Sequence, residues 1–327
     1  MITYVERASA SDRDLEHVWA VSDGRAGNAR QAEALAHCLS PRAEPLQLTP
    51  RAPWRWASPH RLPGARLAFG DAFAARLSKP PALAIGCGRQ AALATRLAGA
   101  GGARTVQILD PRISPRHWDL VVVPEHDMLR GDNVLVMRGS LHPVDDAWLA
   151  RARAAHPRFG ALPGPRIAVL LGGDSRHGRF DVAAFTALAD RLDACIARDG
   201  GSLLLTGSRR TSPAVRAALR ARYTGRAACV WAEAGDGENP YAGMLAWADR
   251  IVCSADSVNM LSEACATRAP VFVFAPGPLD GAPQQFVDSM IADRRARRFE
   301  GALPAFDVVP LRETARVAAE VRARLGD

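Results

Sequence analysis

The chain reads as an α/β protein of two doubly wound, Rossmann-like domains, and three observations carry that reading. Short apolar runs alternate with longer amphipathic ones along most of its 327 residues, the pattern of buried parallel strands joined by helices. The alternation breaks once, at His156-Pro-Arg-Phe-Gly-Ala-Leu-Pro-Gly-Pro165, whose prolines and glycines are those of a linker. Finally, the stretch from Asp249 to Phe274 spells a compact βαβ unit: an apolar strand, a loop of small polar residues, a short helix and a second apolar strand.

In order, residues 17–21 read as a first strand, 22–27 as a loop and 28–39 as a helix. Apolar runs place further strands at 67–70, 82–85, 105–109, 120–123 and 134–137. The linker sets the domain boundary, giving a first domain over 1–160 and a second over 161–327. Beyond it, strands are expected at 167–171, 203–206, 229–231, 251–253 and 271–274, with helices at 182–197 and 213–222 and one starting at Val258. In the tail over 311–325, Val317, Val321 and Leu325 stand four residues apart, the spacing of an amphipathic helix that packs back on the first domain.

Composition narrows the function classes. Formal charge is +8, and Lys79 is the only lysine among 42 basic residues. Arginine binds phosphate with a planar fork, so anionic ligands or an anionic membrane surface are natural partners, although a GC-rich genome also yields such a composition. Along the whole chain the basic residues look dispersed, without the aromatic interleaving of a nucleic-acid groove, so no nucleic-acid partner is expected. The six cysteines form no Cys-x-x-Cys pair and have no His partner at metal spacing. They read as reduced thiols of a cytoplasmic protein without a metal. Glu6, Arg7, Asp12, Arg13, Asp14 and Glu16 exclude the apolar core of a signal peptide. No apolar run is long enough to span a bilayer, so any membrane association is peripheral.

The chemistry concentrates at the carboxyl ends of the strands, where open parallel sheets bind ligands. Ser254, Asp256 and Ser257 precede the helix that starts at Val258, whose first N–H groups attract phosphate. Glu263 lies four residues after Asn259, on the same face. A carboxylate there can accept both hydroxyls of a ribose cis-diol while the helix start holds the attached diphosphate. The alternative is an ordinary N-cap followed by a solvated Glu.

The loop Gly172-Gly173-Asp174-Ser175 opens the second domain on that edge, as a phosphate loop or as a plain turn. Ser208-Arg209-Arg210 follows the next strand, as a phosphate clamp or an exposed basic turn. In the first domain, a transfer to a hydroxyl needs a general base, and Asp23 in Ser22-Asp23-Gly24-Arg25-Ala26-Gly27 is the first candidate. It can equally serve the turn itself. Glu125, His126 and Asp127 are rivals.

The segments Ser22-Asp-Gly-Arg-Ala-Gly27 with Gln31, Ile85-Gly-Cys-Gly-Arg-Gln90, Gln107-Ile-Leu-Asp-Pro-Arg112, Gly139-Ser-Leu-His142, Gly172-Gly-Asp-Ser175, Ser208-Arg-Arg-Thr211 and Ala255-Asp-Ser-Val-Asn-Met-Leu-Ser-Glu-Ala-Cys265 resemble the mitochondrial fission Elm-type family over most of the chain. The resemblance implies a GT-B-like fold, two Rossmann-like domains facing across a cleft. It also implies a glycosyltransferase with a nucleotide-sugar donor as co-substrate, no other cofactor and an unidentified, envelope or lipid-linked acceptor. The plant namesake is associated instead with recruiting fission machinery. Members commonly carry a His where this chain has Asn28, which shifts the role of base towards Asp23. A nucleotide-sugar 2-epimerase or a non-catalytic scaffold with the same architecture are the other readings.

Overall fold

The computed structural model of the protein describes residues 17–174, 178–226 and 228–326. The chain divides into two compact units. The first comprises Met1–Pro143 and Glu313–Asp327, the second Val144–Arg312.

In the first unit, β1 (Val18–Ser22), α1 (Ala26–Leu39), β2 (Glu44–Gln47), α2 (Trp54–Ala57), α3 (Asp71–Arg76), β3 (Leu83–Cys87), α4 (Arg89–Ala100), β4 (Arg104–Ile108), β5 (Leu120–Pro124) and β6 (Val134–Met137) follow in sequence. The strands form one parallel sheet in the order β2-β1-β3-β4-β5-β6. β1, β3 and β5 are buried throughout and β4 at all but its first residue, as helices on both faces require. Val18, Ala20, Ile85 and Cys87 pack with α1 on one side. Trp19, Val21 and Ala84 pack with α3 and α4 on the other.

The second unit contains α5 (Asp146–Ala155), β7 (Arg166–Leu171), α6 (Val182–Asp199), β8 (Ser202–Gly207), α7 (Pro213–Tyr223), β9 (Ala228–Trp231), α8 (Tyr241–Trp247), β10 (Arg250–Ser254), α9 (Val258–Cys265), β11 (Val271–Phe274), α10 (Gly281–Ala292) and β12 (Ala296–Arg298). Its parallel sheet has the order β12-β11-β10-β7-β8-β9. Ile167, Val169 and Leu171 face α6 and α7, while Ala168 and Leu170 join the core under α8, α9 and α10. Side chains standing alternately on the two faces of a strand account for that split. Asp181, Ser212 and Ser257 cap α6, α7 and α9, each accepting a backbone N–H of the first turn.

Two expectations are corrected. Residues 67–70 are not a strand: a 3-10 turn covers Ala65–Leu67, and Gly70, at φ +87°, leads into α3. The second strand of that sheet is instead Glu44–Gln47, an edge strand whose alternate residues are exposed. The division between the units falls at Pro143, before the proline-rich stretch, because α5 packs on α8 through the core containing Leu149 and Leu245. As expected of the tail, the C-terminal helix α11 (Glu313–Leu325) belongs to the first unit, where Val317 and Val321 complete the core over α1.

Candidate functional site

In each sheet the strand order reverses at one point, beside the first strand of its unit: between β1 and β3 in the first, between β7 and β10 in the second. Loops leaving two neighbouring strands on opposite faces open a crevice there, and that is where such folds bind ligands.

In the second unit, loops after β7, β8 and β10 converge on the Asp256 carboxylate, which is 6% exposed. It accepts from the Gly173 amide at 3.0 Å, the Ser254 hydroxyl at 2.7 Å and the Arg210 guanidinium at 2.6 Å. The Gly172 amide donates to Ser254 Oγ at 2.7 Å, and the Ser208 hydroxyl to the Gly172 carbonyl at 2.9 Å. Arg210 also donates to the Gly173 carbonyl at 3.1 Å. This packing explains both glycines: a Cβ on Gly172 would run into the Asp256 carboxylate, and one on Gly173 into the Arg210 backbone.

The predicted residues therefore separate. The amides of Gly172 and Gly173, expected to face a phosphate, are engaged by Ser254 and Asp256. Asp174 accepts the Phe180 amide at 2.8 Å, which leads the chain into α6. Ser175 lies outside the described residues. Of the two expected clamp residues, Arg210 is spent on Asp256. Arg209 is exposed and makes no ion pair among the described residues.

Ser257 is the N-cap of α9 and accepts the Met260 amide at 3.5 Å. Asn259 is half-buried in the first turn of that helix. Glu263, one turn further, is 4% exposed and accepts a hydrogen bond from the Tyr241 hydroxyl. The alternative of a solvated surface Glu is thereby removed. Tyr241 begins α8, and its amide is held by Asn239 at 3.0 Å. A cavity of about 620 Å³ borders the network, its lining including Asp256, Phe180, Phe274, Arg179 and Arg191.

At the reversal point of the first unit, Asp23 Oδ1 accepts from the Arg25 amide at 3.1 Å and the Asn28 side-chain amide at 3.0 Å. Its carboxylate is 9% exposed, with Arg25 at 3.6 Å. Asn28 Oδ1 in turn accepts the Cys87 thiol at 3.7 Å. Burial, with the Asp23 charge second, pushes that thiol far up, so it stays protonated and donates. Among the rivals, Glu125 is largely exposed. Burial lowers His126 against the opposing pull of Asp127 and Glu125. Among the described residues no three His, Cys, Asp or Glu side chains gather as a metal site. No described helix is long and apolar enough to cross a membrane.

Three residues carry more than their local sequence showed. Asp256 sits in the loop already noted, but its role as junction depends on partners 46 and 83 residues away. The Cys87–Asn28 pair likewise links residues 59 apart. The local signal was only a polar side chain just beyond an apolar strand.

The sequence pattern of the family described as Mitochondrial fission ELM1 matches residues 26–325. "Mitochondrial fission protein ELM1" of Arabidopsis thaliana is 30% identical over 275 residues, covering 75% of this chain and 64% of that protein. The chain thus spans under two thirds of that relative's length. Among solved structures, the UDP-GlcNAc 2-epimerase of Methanocaldococcus jannaschii superposes with a TM-score of 0.53 at 10% identity, over 94% of this chain and 98% of that one. The Neisseria meningitidis enzyme bound to UDP-GlcNAc gives 0.51 at 11% identity, over 94% and 99%. At such identities the likeness is one of fold.

Proposed function

The chain belongs to the mitochondrial fission ELM1 family, and we propose that it binds a nucleoside-diphosphate sugar through its second unit and transfers the sugar, without a metal ion, to an envelope or lipid-linked acceptor bound by its first. Glu263 carries this reading. A carboxylate 4% exposed inside a short helix is costly unless it serves a polar purpose, and an apolar residue would fill the space more cheaply. It stands on the helix that follows the reversal-point loop, in a fold shared with an epimerase solved with UDP-GlcNAc.

In this reading Glu263 receives the ribose hydroxyls, with the Tyr241 hydroxyl yielding or sharing the carboxylate. The first N–H groups of α9 and the free guanidinium of Arg209 stabilise the departing diphosphate. Ser208, Arg210, Gly172, Gly173, Ser254 and Asp256 act one layer back, fixing the loops that present those groups. Asp23, held by Asn28, takes the proton of the acceptor hydroxyl.

Calorimetry with a panel of nucleoside diphosphates tests the donor site. One of them is expected to bind, and Glu263→Gln to weaken it about 10- to 100-fold, the loss of one charge-assisted hydrogen bond of about 1.5–3 kcal/mol. Absence of binding by every nucleotide, or unchanged affinity in Glu263→Gln, would overturn the reading. A second reading, 2-epimerisation, is favoured by the two structures just named. Incubating the bound nucleotide sugar alone distinguishes them, since only an epimerase alters it without an acceptor.

A further inference from the structure

Residues 48–70, between β2 and α3, concentrate what the rest of the chain disperses. They hold Arg51, Arg55, Arg61, Arg66, His60, Trp54 and Trp56, and no Asp or Glu. This is a local interleaving of basic and aromatic residues that a chain-wide view of charge passes over. Trp54 packs against the core formed by Trp19 and Phe73. Trp56 is 73% exposed and Leu67 51%.

That exposure is imposed by the scaffold beneath. Arg89 on α4 donates to the carbonyls of Trp56 and Ser58 at 3.1 and 3.0 Å, and Arg96 to that of Pro59 at 2.6 Å. The Ser58 hydroxyl ties back to the Trp54 carbonyl at 2.7 Å. The backbone carrying Trp56 is therefore pinned to α4 with its indole facing out. The two pinning guanidiniums spend their hydrogen bonds on carbonyls and keep their charge. Among the described residues, none of Arg51, Arg55, Arg61, Arg66, Arg89 or Arg96 pairs with a carboxylate. The local field is positive: Arg96 is lowered by burial and then by Arg61, and His117 by burial and then by Arg96 and His60.

An exposed indole, an exposed leucine and unneutralised guanidiniums within one segment match the boundary layer of a bilayer. Tryptophan settles at headgroup depth, leucine gains by entering the acyl edge, and arginine binds lipid phosphate. A single-stranded nucleic acid would stack a base on the indole, but that mode offers an exposed aliphatic leucine no partner.

We propose that the 48–70 segment of the first unit is a docking surface for anionic lipid bilayers, inserting Trp56 and Leu67 at the headgroup boundary while its arginines contact lipid phosphates. The proposal does not depend on the donor-site reading.

Cosedimentation of the full chain with phosphatidylcholine vesicles, with or without about one-third phosphatidylglycerol, tests it. The protein is expected to sediment with the anionic vesicles, to stay in solution with phosphatidylcholine alone and to be released by salt. Trp56→Ser with Leu67→Ser should lower partitioning at least about tenfold, and Arg55→Gln with Arg61→Gln by about tenfold or more while weakening the salt dependence. All four positions are exposed, so both double variants should keep the circular dichroism and melting midpoint of the parent. Failure of the parent to bind anionic vesicles, or equal binding by the Trp56/Leu67 variant, overturns the proposal. So does a surface whose substitution abolishes binding of a single-stranded RNA oligonucleotide or splits a dimer while vesicles are ignored.

Discussion

Removing the Asp256 carboxylate should unfasten three loops at once, and the structure sets the size of the effect. Asp256→Ala strips acceptors from the Gly173 amide, the Ser254 hydroxyl and the Arg210 guanidinium, at 3.0, 2.7 and 2.6 Å. A buried donor left without a partner costs about 1–3 kcal/mol. Arg210 is 39% exposed and returns largely to water, so its share is that of a screened pair, about 0–1 kcal/mol. The sum is about 2–7 kcal/mol, which in a unit of this size lowers the melting midpoint by roughly 4–28 °C. Differential scanning calorimetry reads it directly. Arg210→Gln is the control: it leaves Asp256 two donors and should cost no more than about 1 kcal/mol. If Asp256→Ala lies within about 1 kcal/mol of the parent, or the control matches it, the carboxylate is not the junction of these loops.

Gly88 has φ +87°, and a Cβ there would meet the Asn28 side-chain amide. Gly88→Ala should therefore cost about 2–4 kcal/mol in urea unfolding. Adding Asn28→Ala should recover the overlap but not the backbone strain, and full recovery would refute the assignment. Asp249 accepts two bonds from the Arg166 side chain, at 2.9 and 3.1 Å. Burial raises its pKa, but the Arg166 bonds outweigh it and leave the pKa lowered. Its contribution is thus present above the ordinary aspartate range and lost as pH falls through the lowered value. Asp249→Asn should cost about 1 kcal/mol at neutral pH and progressively less on acidification; a penalty that grows with acid would contradict the pair. Cys38 is exposed, whereas Cys87 and Cys253 are buried with raised pKa. A thiol reagent on the native protein should label Cys38 first and spare those two until unfolding.

The amphipathic tail was legible as a helix because Val317, Val321 and Leu325 recur every four residues. The core strands were legible for a related reason. A strand covered by helices on both faces must be apolar throughout, and Val18–Ser22, Leu83–Cys87 and Val271–Phe274 are buried at every position. Edge strands lack that constraint. Glu44–Gln47 alternates with solvent, and Ala296–Arg298 exposes both arginines, so neither announced itself. The apolar run at 67–70 misled in the opposite direction, because its Phe69 packs as part of a turn against Phe73.

From the sequence alone came the class of the fold, the start of α9 at Ser257 and the place of Glu263 beyond a strand end, all of which are written in short-range periodicity and local hydrogen bonding. Only the tertiary structure decided that Asp256 holds Gly173 and Arg210 and that Glu263 is buried with the Tyr241 hydroxyl on its carboxylate. Those contacts join residues between 22 and 83 positions apart. Which side chains meet across such distances depends on the order in which the strands assemble, and no local pattern of residues records that order.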